Sequence, residues 1–136
     1  RIRGNDIYLL DHSSIRFGNK YEGWARFINF MTLYNPPLAD ALVEYVRLNR
    51  GEEEVLALKL MRLFRLGEIL WYYTRTLNAV DGNLKLLNAA RARFWTALLA
   101  SALNDSTLPS DVRETYIKTR DALRSDDEKK RQIGLH

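Results

Sequence analysis

The longest apolar stretch of this chain constrains its fold most, because it predicts one long helix with almost no polar face. Within Val55–Tyr73, apolar side chains are interrupted mainly by Lys59, Arg62, Arg65 and Glu68. A helix that is apolar nearly all round must be buried on more than one side. Two interpretations follow: the helix is the axis of a compact bundle, or one of its faces is closed by another copy of the chain.

Charge argues against a membrane-spanning role for this stretch. It is long enough to cross a bilayer, but each of its four charged side chains would be costly at the bilayer centre. The whole chain has 136 residues, of which 46% are hydrophobic. A chain of that size and composition folds by default as one domain with a core of its own.

Capping signals on either side of residue 51 define two neighbouring helices. Asn35 stands before Pro36 and Pro37, which predicts a capped helix start with proline in the first turn. Gly51 is expected to end that helix. The glutamates at 52–54 then place negative charge on the first turn of the long apolar helix, where the helix dipole favours it.

The remaining segments also predict helices. One is expected over 20–34, one over 83–103, and one from the capping pair Asp111 and Glu114 to about residue 123. Residues 1–19 indicate an arm, in which a short helix around 6–12 is possible. No strand-type alternation of any length is present. We therefore predict an all-α protein, a small helical bundle of about four to five helices.

Catalysis has little support in the residues present. The chain has no cysteine, which excludes disulfides, thiol catalysis and cysteine-bound zinc, and its two histidines, His12 and His136, lie at opposite ends. Ser13 and Ser14 follow His12, but no acid is placed to orient that histidine, and no glycine-rich phosphate loop occurs. We expect no catalytic residue, no metal site, no cofactor, no small-molecule substrate and no enzymatic activity.

Positive charge instead points to nucleic acid. The net charge is +4, and fifteen arginines outnumber six lysines. Guanidinium groups bind phosphate through two donors at once. Any single arginine is more often solvated or salt-bridged, but for the set together phosphate contact is favoured. The candidates flank apolar or aromatic helix faces: Arg16, Lys20, Arg26, Arg62, Arg65, Arg91 and Arg93. Without a recognition-helix motif, binding should be independent of sequence and dependent on salt.

Aromatic residues at helical spacing are typical of a core or an interface, and less often of base stacking. We assign to a protein interface the residues Trp24, Phe27, Phe30, Phe64, Trp71, Tyr72 and Trp95.

The segment Lys20–Val46, KYEGWARFINFMTLYNPPLADALVEYV, carries a resemblance to a known family. Its elements are the pair Lys20-Tyr21, then Trp24, Phe27 and Phe30, then Asn35-Pro36, and finally Ala39, Leu42 and Val46. This pattern resembles the major capsid proteins of filamentous archaeal double-stranded DNA viruses, the rudivirus, lipothrixvirus and tristromavirus group.

The resemblance implies a structural virion protein with an extended N-terminal helical arm. Members of the group pair as dimers of one protein or of two paralogues, and the dimers wrap double-stranded DNA, held in A-form, into a helical filament. Residues 1–34 would then form the arm that faces DNA and wraps a partner, and residues 35–136 the bundle with a charged C-terminal tail. Arg16, Lys20 and Arg26 become the first candidates for phosphate contact, and Arg1 and Arg3 the next.

The partners implied are double-stranded DNA, a second copy or a paralogous capsid protein, and neighbouring subunits of the filament. The expected location is the virion, and the host cytoplasm during assembly.

Three alternatives remain. The run Phe94-Trp95-Thr96 through Pro109, with Arg113, resembles flagellin-synthesis regulators of α-proteobacteria. A small DNA-binding transcription factor is the second alternative, although no tight helix-turn-helix is visible. A plain helical adaptor or interaction module is the third. Filament formation separates the capsid hypothesis from all three.

Overall fold

The computed structural model describes residues 18–123, together with the backbone of two short strands nearer the N-terminus. The strands are β1 (Ile2–Arg3) and β2 (Asp6–Ile7), which pair antiparallel with Ile2 opposite Ile7. Residues 6–7 are thus extended where a short helix was considered. The charged C-terminal tail lies outside the described residues.

Five helices make up nearly all of the described chain, which confirms the all-α prediction. They are α1 (Glu22–Tyr34), α2 (Pro36–Arg50), α3 (Glu52–Thr76), α4 (Gly82–Leu103) and α5 (Ser110–Leu123). Within residues 18–123, no helix combines the length and hydropathy that crossing a bilayer requires.

The predicted signals at Asn35 and Gly51 act where the sequence places them, whereas α5 begins at Ser110, so that Asp111 lies in its first turn and does not cap it. The Asn35 side chain accepts a hydrogen bond from the backbone N–H of Leu38 at 3.3 Å, and Pro36 opens α2. Gly51 separates α2 from α3 with φ of +88°, a left-handed value that glycine adopts without strain. One residue therefore ends α2 and allows α3 to begin directly after it.

Two hydrophobic clusters form the core, and α3 contributes to both. The first joins α1, α2 and α3, and contains Tyr21, Ala25, Ile28, Ala39, Val46 and Leu58. The second joins the end of α1 to α3, α4 and α5, and contains Leu33, Leu66, Phe94, Trp95, Leu98 and Tyr116. Because α3 packs against α1, α2 and α4, it is the central helix of the bundle.

Helix α1 belongs to the bundle, which corrects the division of the chain at residue 34. Ala25, Ile28 and Leu33 are almost completely buried, and they pack into the two core clusters. The Asn29 side chain also bonds the backbone of α3. A helix that buries one face this fully stabilises the bundle, so the described part of the predicted arm is a core element.

Candidate functional site

The face of α3 that points away from the core is apolar. Leu56, Leu60, Phe64 and Trp71 expose 56%, 58%, 60% and 61% of their surface, and Gly67 is exposed between the last two. An α-helix turns about 100° per residue, so these five positions fall within an arc of about 80°. We call this set the α3 stripe.

The stripe is comparable in area to the largest apolar patch of a typical monomer. Its four large side chains expose on the order of 500 Å² of apolar area. The sequence left two interpretations of α3 open, namely the axis of a bundle or a helix with one face closed by another copy, and the structure is compatible with both. The helix is the axis of the bundle, and one of its faces still remains open to solvent.

Most of the predicted interface aromatics are at the surface. Phe27 and Tyr72 are about half exposed, like Phe64 and Trp71 in the stripe. Trp24 is partly exposed and stacks on Tyr45 of α2, with the ring centroids 6.1 Å apart. Available aromatic surface therefore occurs on α1 and α2 as well as on α3.

Trp95 and Phe30 do not belong to this surface. Trp95 is only 2% exposed, and Phe30 packs against it edge to face with the ring centroids 5.4 Å apart. Trp95 also contacts Phe94, which makes this group the centre of the second core cluster. The assignment of Trp95 to an interface is therefore wrong, because α4 is covered by both α3 and α5.

Three of the predicted phosphate-binding arginines have partners inside the protein. Arg62 donates from Nε to Oδ1 of buried Asn29 at 3.0 Å, and Asn29 donates back to the Arg62 carbonyl at 3.1 Å. Burial lowers the pKa of Arg62. Arg65 pairs with Glu68 at 2.6 Å and with Glu22 at 3.3 Å. These contacts give Arg62 and Arg65 a structural role.

Arg91 is also held within the bundle. Its guanidinium donates to Oδ1 of Asn88 at 3.0 Å and lies 5.5 Å from the centroid of the Tyr73 ring. Burial raises the pKa of both Tyr73 and Tyr116, and the nearby Arg91 charge partly offsets that rise. The cation thus completes a polar contact between α3, α4 and α5.

Arg26 on α1 and Arg93 on α4 remain available. Both are exposed, and neither has an ion-pair partner among residues 18–123. Lys20 is also exposed, but its Nζ bonds Glu54 at 2.7 Å. Arg1 and Arg16 lie outside the described residues, and of Arg3 only the backbone, in β1, is described. Of the predicted contacts whose side chains are described, Arg26 and Arg93 are the ones that are both exposed and without an ion pair.

Glu54 is a junction between the start of α1 and the start of α3. It accepts hydrogen bonds from Lys20 Nζ and from the Tyr21 hydroxyl. The bond from Lys20, followed by that from Tyr21, lowers the pKa of Glu54 below its ordinary value of 4.5. The same contact raises the pKa of Tyr21, because the hydroxyl donates to a carboxylate.

Replacement of Glu54 by glutamine should therefore destabilise the protein at neutral pH, and the difference in stability from wild type should shrink as the pH falls. A carboxyl group with a lowered folded-state pKa stabilises the fold above its unfolded-state pKa, and this contribution is lost as the pH falls through the folded-state value. We expect wild type to have the higher urea midpoint at pH 7, and its lead over the Glu54→Gln variant to shrink as the pH falls below about 4.5. A difference in midpoint that stays constant below that pH would contradict the role of this carboxylate.

A cleft opens between α2, α3 and the segment joining α4 to α5. Its volume is about 840 Å³, and both acidic and basic side chains line it, among them Asp40, Arg47, Lys59 and Arg113. Lys59 is held there by Asp105 at 2.7 Å, and Arg113 donates to the Leu33 carbonyl. The mixed charge gives this cleft no preference for a phosphate chain.

The stripe leucines Leu56 and Leu60 are absent from the sequence-based assignment, which selected aromatic residues alone. The signal that identifies them is the spacing of four, four, three and four residues along 56, 60, 64, 67 and 71. Among residues 18–123, no group of histidine, aspartate and glutamate side chains has the arrangement of a metal site.

The exposed surface of the described residues thus includes an apolar face on α3, aromatic rings on α1 and α2, and the exposed cations Arg26 and Arg93. No protein family, curated protein or solved structure matches this chain.

Proposed function

We propose that this protein is a structural subunit that assembles with other copies and coats double-stranded DNA, as the capsid protein of a filamentous virus does. The observation that carries the proposal is the α3 stripe, a large apolar face directly opposite the core. The largest apolar patch of a protein this size is often functional, and assembly is one such function. A subunit of a filament can bury such a face against a neighbouring subunit.

The charge distribution supports contact with a phosphate backbone. The chain carries a net charge of +4, and Arg26 and Arg93 are exposed on two different helices without an acidic partner among residues 18–123. Contacts from exposed cations to phosphate fix a protein on a duplex without reading its sequence. Coating a long genome requires binding of this kind.

We expect the double variant Arg26→Ala/Arg93→Ala to bind a 30-base-pair duplex about tenfold more weakly, because each lost phosphate contact removes counterion release. The slope of log affinity against log salt concentration should also become shallower by about 1.8. Fluorescence anisotropy from 50 to 300 mM salt measures both quantities.

Arg47→Ala is the matched control for that experiment. Arg47 is exposed as well, but it already pairs with Glu44 and with Glu52, the latter at 2.8 Å. Its loss should leave the salt slope unchanged. A double variant with the wild-type slope, or a control with the larger change, would overturn the assignment of Arg26 and Arg93 to DNA.

A small helical adaptor or regulator is the second candidate, and the cleft favours it. The cleft of about 840 Å³ between α2, α3 and the α4–α5 connection is within the size range of ligand-binding clefts, and grooves between helices can bind a helix of a partner. An adaptor would bind its partner in this cleft. The product would be a discrete complex and not a filament. Binding of a partner protein that is lost on substitution of cleft residues, but is unaffected by substitution of Arg26 and Arg93, would favour this function over DNA coating.

A further inference from the structure

The α3 stripe has nearly the same pattern when it is read in either direction. Leu56 and Trp71 lie at equal distances from residues 63–64, and so do Leu60 and Gly67. Two such stripes placed antiparallel would set Leu56 of one copy beside Trp71 of the other, and Leu60 beside Gly67. Each bulky side chain then has a defined neighbour, as a two-fold interface requires.

Gly67 supplies space at the point where this arrangement needs it. It lies within α3 and is exposed, and a Cβ added there would meet no atom within 4 Å. Glycine inside a helix destabilises it by comparison with alanine. A neighbouring helix that places Leu60 against this position gives the glycine a packing role.

The charges at the two ends of the stripe are complementary under the same arrangement. Glu53 stands at the start of α3, and Arg75 stands at its end, with its guanidinium 5.1 Å from the centroid of the Trp71 ring. Both are exposed, and neither has an ion-pair partner among residues 18–123. Their midpoint is residue 64, so antiparallel pairing places Glu53 of each copy opposite Arg75 of the other.

We propose that two copies of this chain pair through their α3 stripes, antiparallel, about a two-fold axis that passes beside Phe64. The inference rests on the proposed function for the expectation that copies assemble, and it adds the face, the direction and the register of the contact. Parallel pairing would instead set Glu53 against Glu53 and Arg75 against Arg75, which like-charge repulsion disfavours.

The available area agrees with a second copy as the occupant. The four large stripe side chains supply on the order of 500 Å² per chain, and a stable interface buries about 800 Å² per partner. The flanking Glu53 and Arg75, both exposed, add to that area. A face whose shape and charge are both self-complementary fits its own copy better than an unrelated protein.

Single cysteines test the direction of pairing, since the chain has none of its own. In the antiparallel arrangement, residue 64 lies beside its counterpart, whereas residue 56 lies about 24 Å from its own along the helix axis. A disulfide requires Cα atoms within about 7 Å. We therefore expect mild oxidation to cross-link Phe64→Cys into a dimer and to leave Leu56→Cys monomeric on a non-reducing gel.

Exchange of charges tests the register. Glu53→Arg and Arg75→Glu should each weaken association about three- to tenfold in sedimentation equilibrium, and the double exchange should restore it. Each change also opposes the helix dipole, and the double change opposes it most. Recovery of association in the double variant would therefore come from the restored pairing and not from helix stability.

Leu60→Glu tests the face itself, and Leu48→Glu is its matched control. Leu48 is 76% exposed on α2, outside the stripe. A carboxylate inside an apolar interface is poorly solvated, so Leu60→Glu should weaken association at least about 100-fold while Leu48→Glu leaves it intact. Circular dichroism should show unchanged helix content in both.

Several results would overturn the pairing: a monomeric wild type, equal dissociation by both glutamate variants, cross-linking of Leu56→Cys, or no rescue by the double charge exchange. Failure of the pairing and failure of the proposed function are distinguishable. A wild-type protein that forms the stripe dimer but does not coat DNA would contradict the proposed function alone. DNA-coating filaments that survive Leu60→Glu would contradict this pairing alone.

Discussion

Replacement of Phe94 by alanine is expected to lower the free energy of unfolding by about 3–5 kcal/mol. Phe94 is 1% exposed, and its ring centroid lies 4.9 Å from those of both Trp95 and Tyr116. The side chain therefore joins α4 to α5, and its removal leaves a cavity that the surrounding rings fill only in part. Urea denaturation followed by circular dichroism measures the loss.

Phe27→Ala is the control for that variant, because Phe27 is about half exposed on α1. The same chemical change there should lower the free energy of unfolding by less than about 1 kcal/mol. Equal losses in the two variants would contradict the placement of Phe94 at the centre of the second core cluster.

The second large effect is expected at Asn29, which is fully buried in α1. Its amide accepts from Arg62 Nε at 3.0 Å and donates to the Arg62 carbonyl at 3.1 Å. Asn29→Leu removes both bonds and leaves a largely buried guanidinium without this partner. We expect a loss of about 2–4 kcal/mol in the free energy of unfolding, because a buried charge without its hydrogen bond is expensive.

A double-mutant cycle distinguishes this interaction from simple misfit. Asn29→Leu/Arg62→Met replaces the polar pair with apolar side chains, a change that often restores stability. The double variant should be more stable than Asn29→Leu alone, with a coupling of at least about 1 kcal/mol between the two positions. Additive losses would show that the pair does not act as a unit.

The helices were predictable because the signals that define them are local. Asn35 with Pro36, and Gly51 with the glutamates that follow, set the boundaries of α2 and α3 within a residue or two of their observed positions. A cap acts on backbone groups three residues away, so the sequence window contains the whole interaction.

The burial of individual residues was not predictable in the same way. Trp71 and Trp95 both lie in apolar helices, yet one is exposed and the other is in the core. The difference arises because α4 is covered from two sides, which depends on the packing of α3 and α5. The bond between Asn29 and Arg62 joins residues that are 33 positions apart, so no local pattern indicates it.

The candidate site was predicted in part. The sequence indicated that another copy of the chain is one possible cover for α3, and the exposed α3 stripe agrees with that interpretation. The sequence could not select the face, since an apolar helix has no polar side to serve as a reference. The exposure of the arginines was equally unpredictable, because whether Arg62 or Arg93 faces solvent depends on which helices surround it.

Electron microscopy can decide whether copies of this chain coat duplex DNA. The purified protein would be mixed with linear duplex DNA and examined by negative-stain electron microscopy, with the 260/280 nm absorbance ratio recorded on the pelleted material. If the protein coats DNA, uniform filaments with a nucleic-acid-rich spectrum are expected. Discrete small particles with a protein-only spectrum would contradict it and would favour the adaptor function of the cleft.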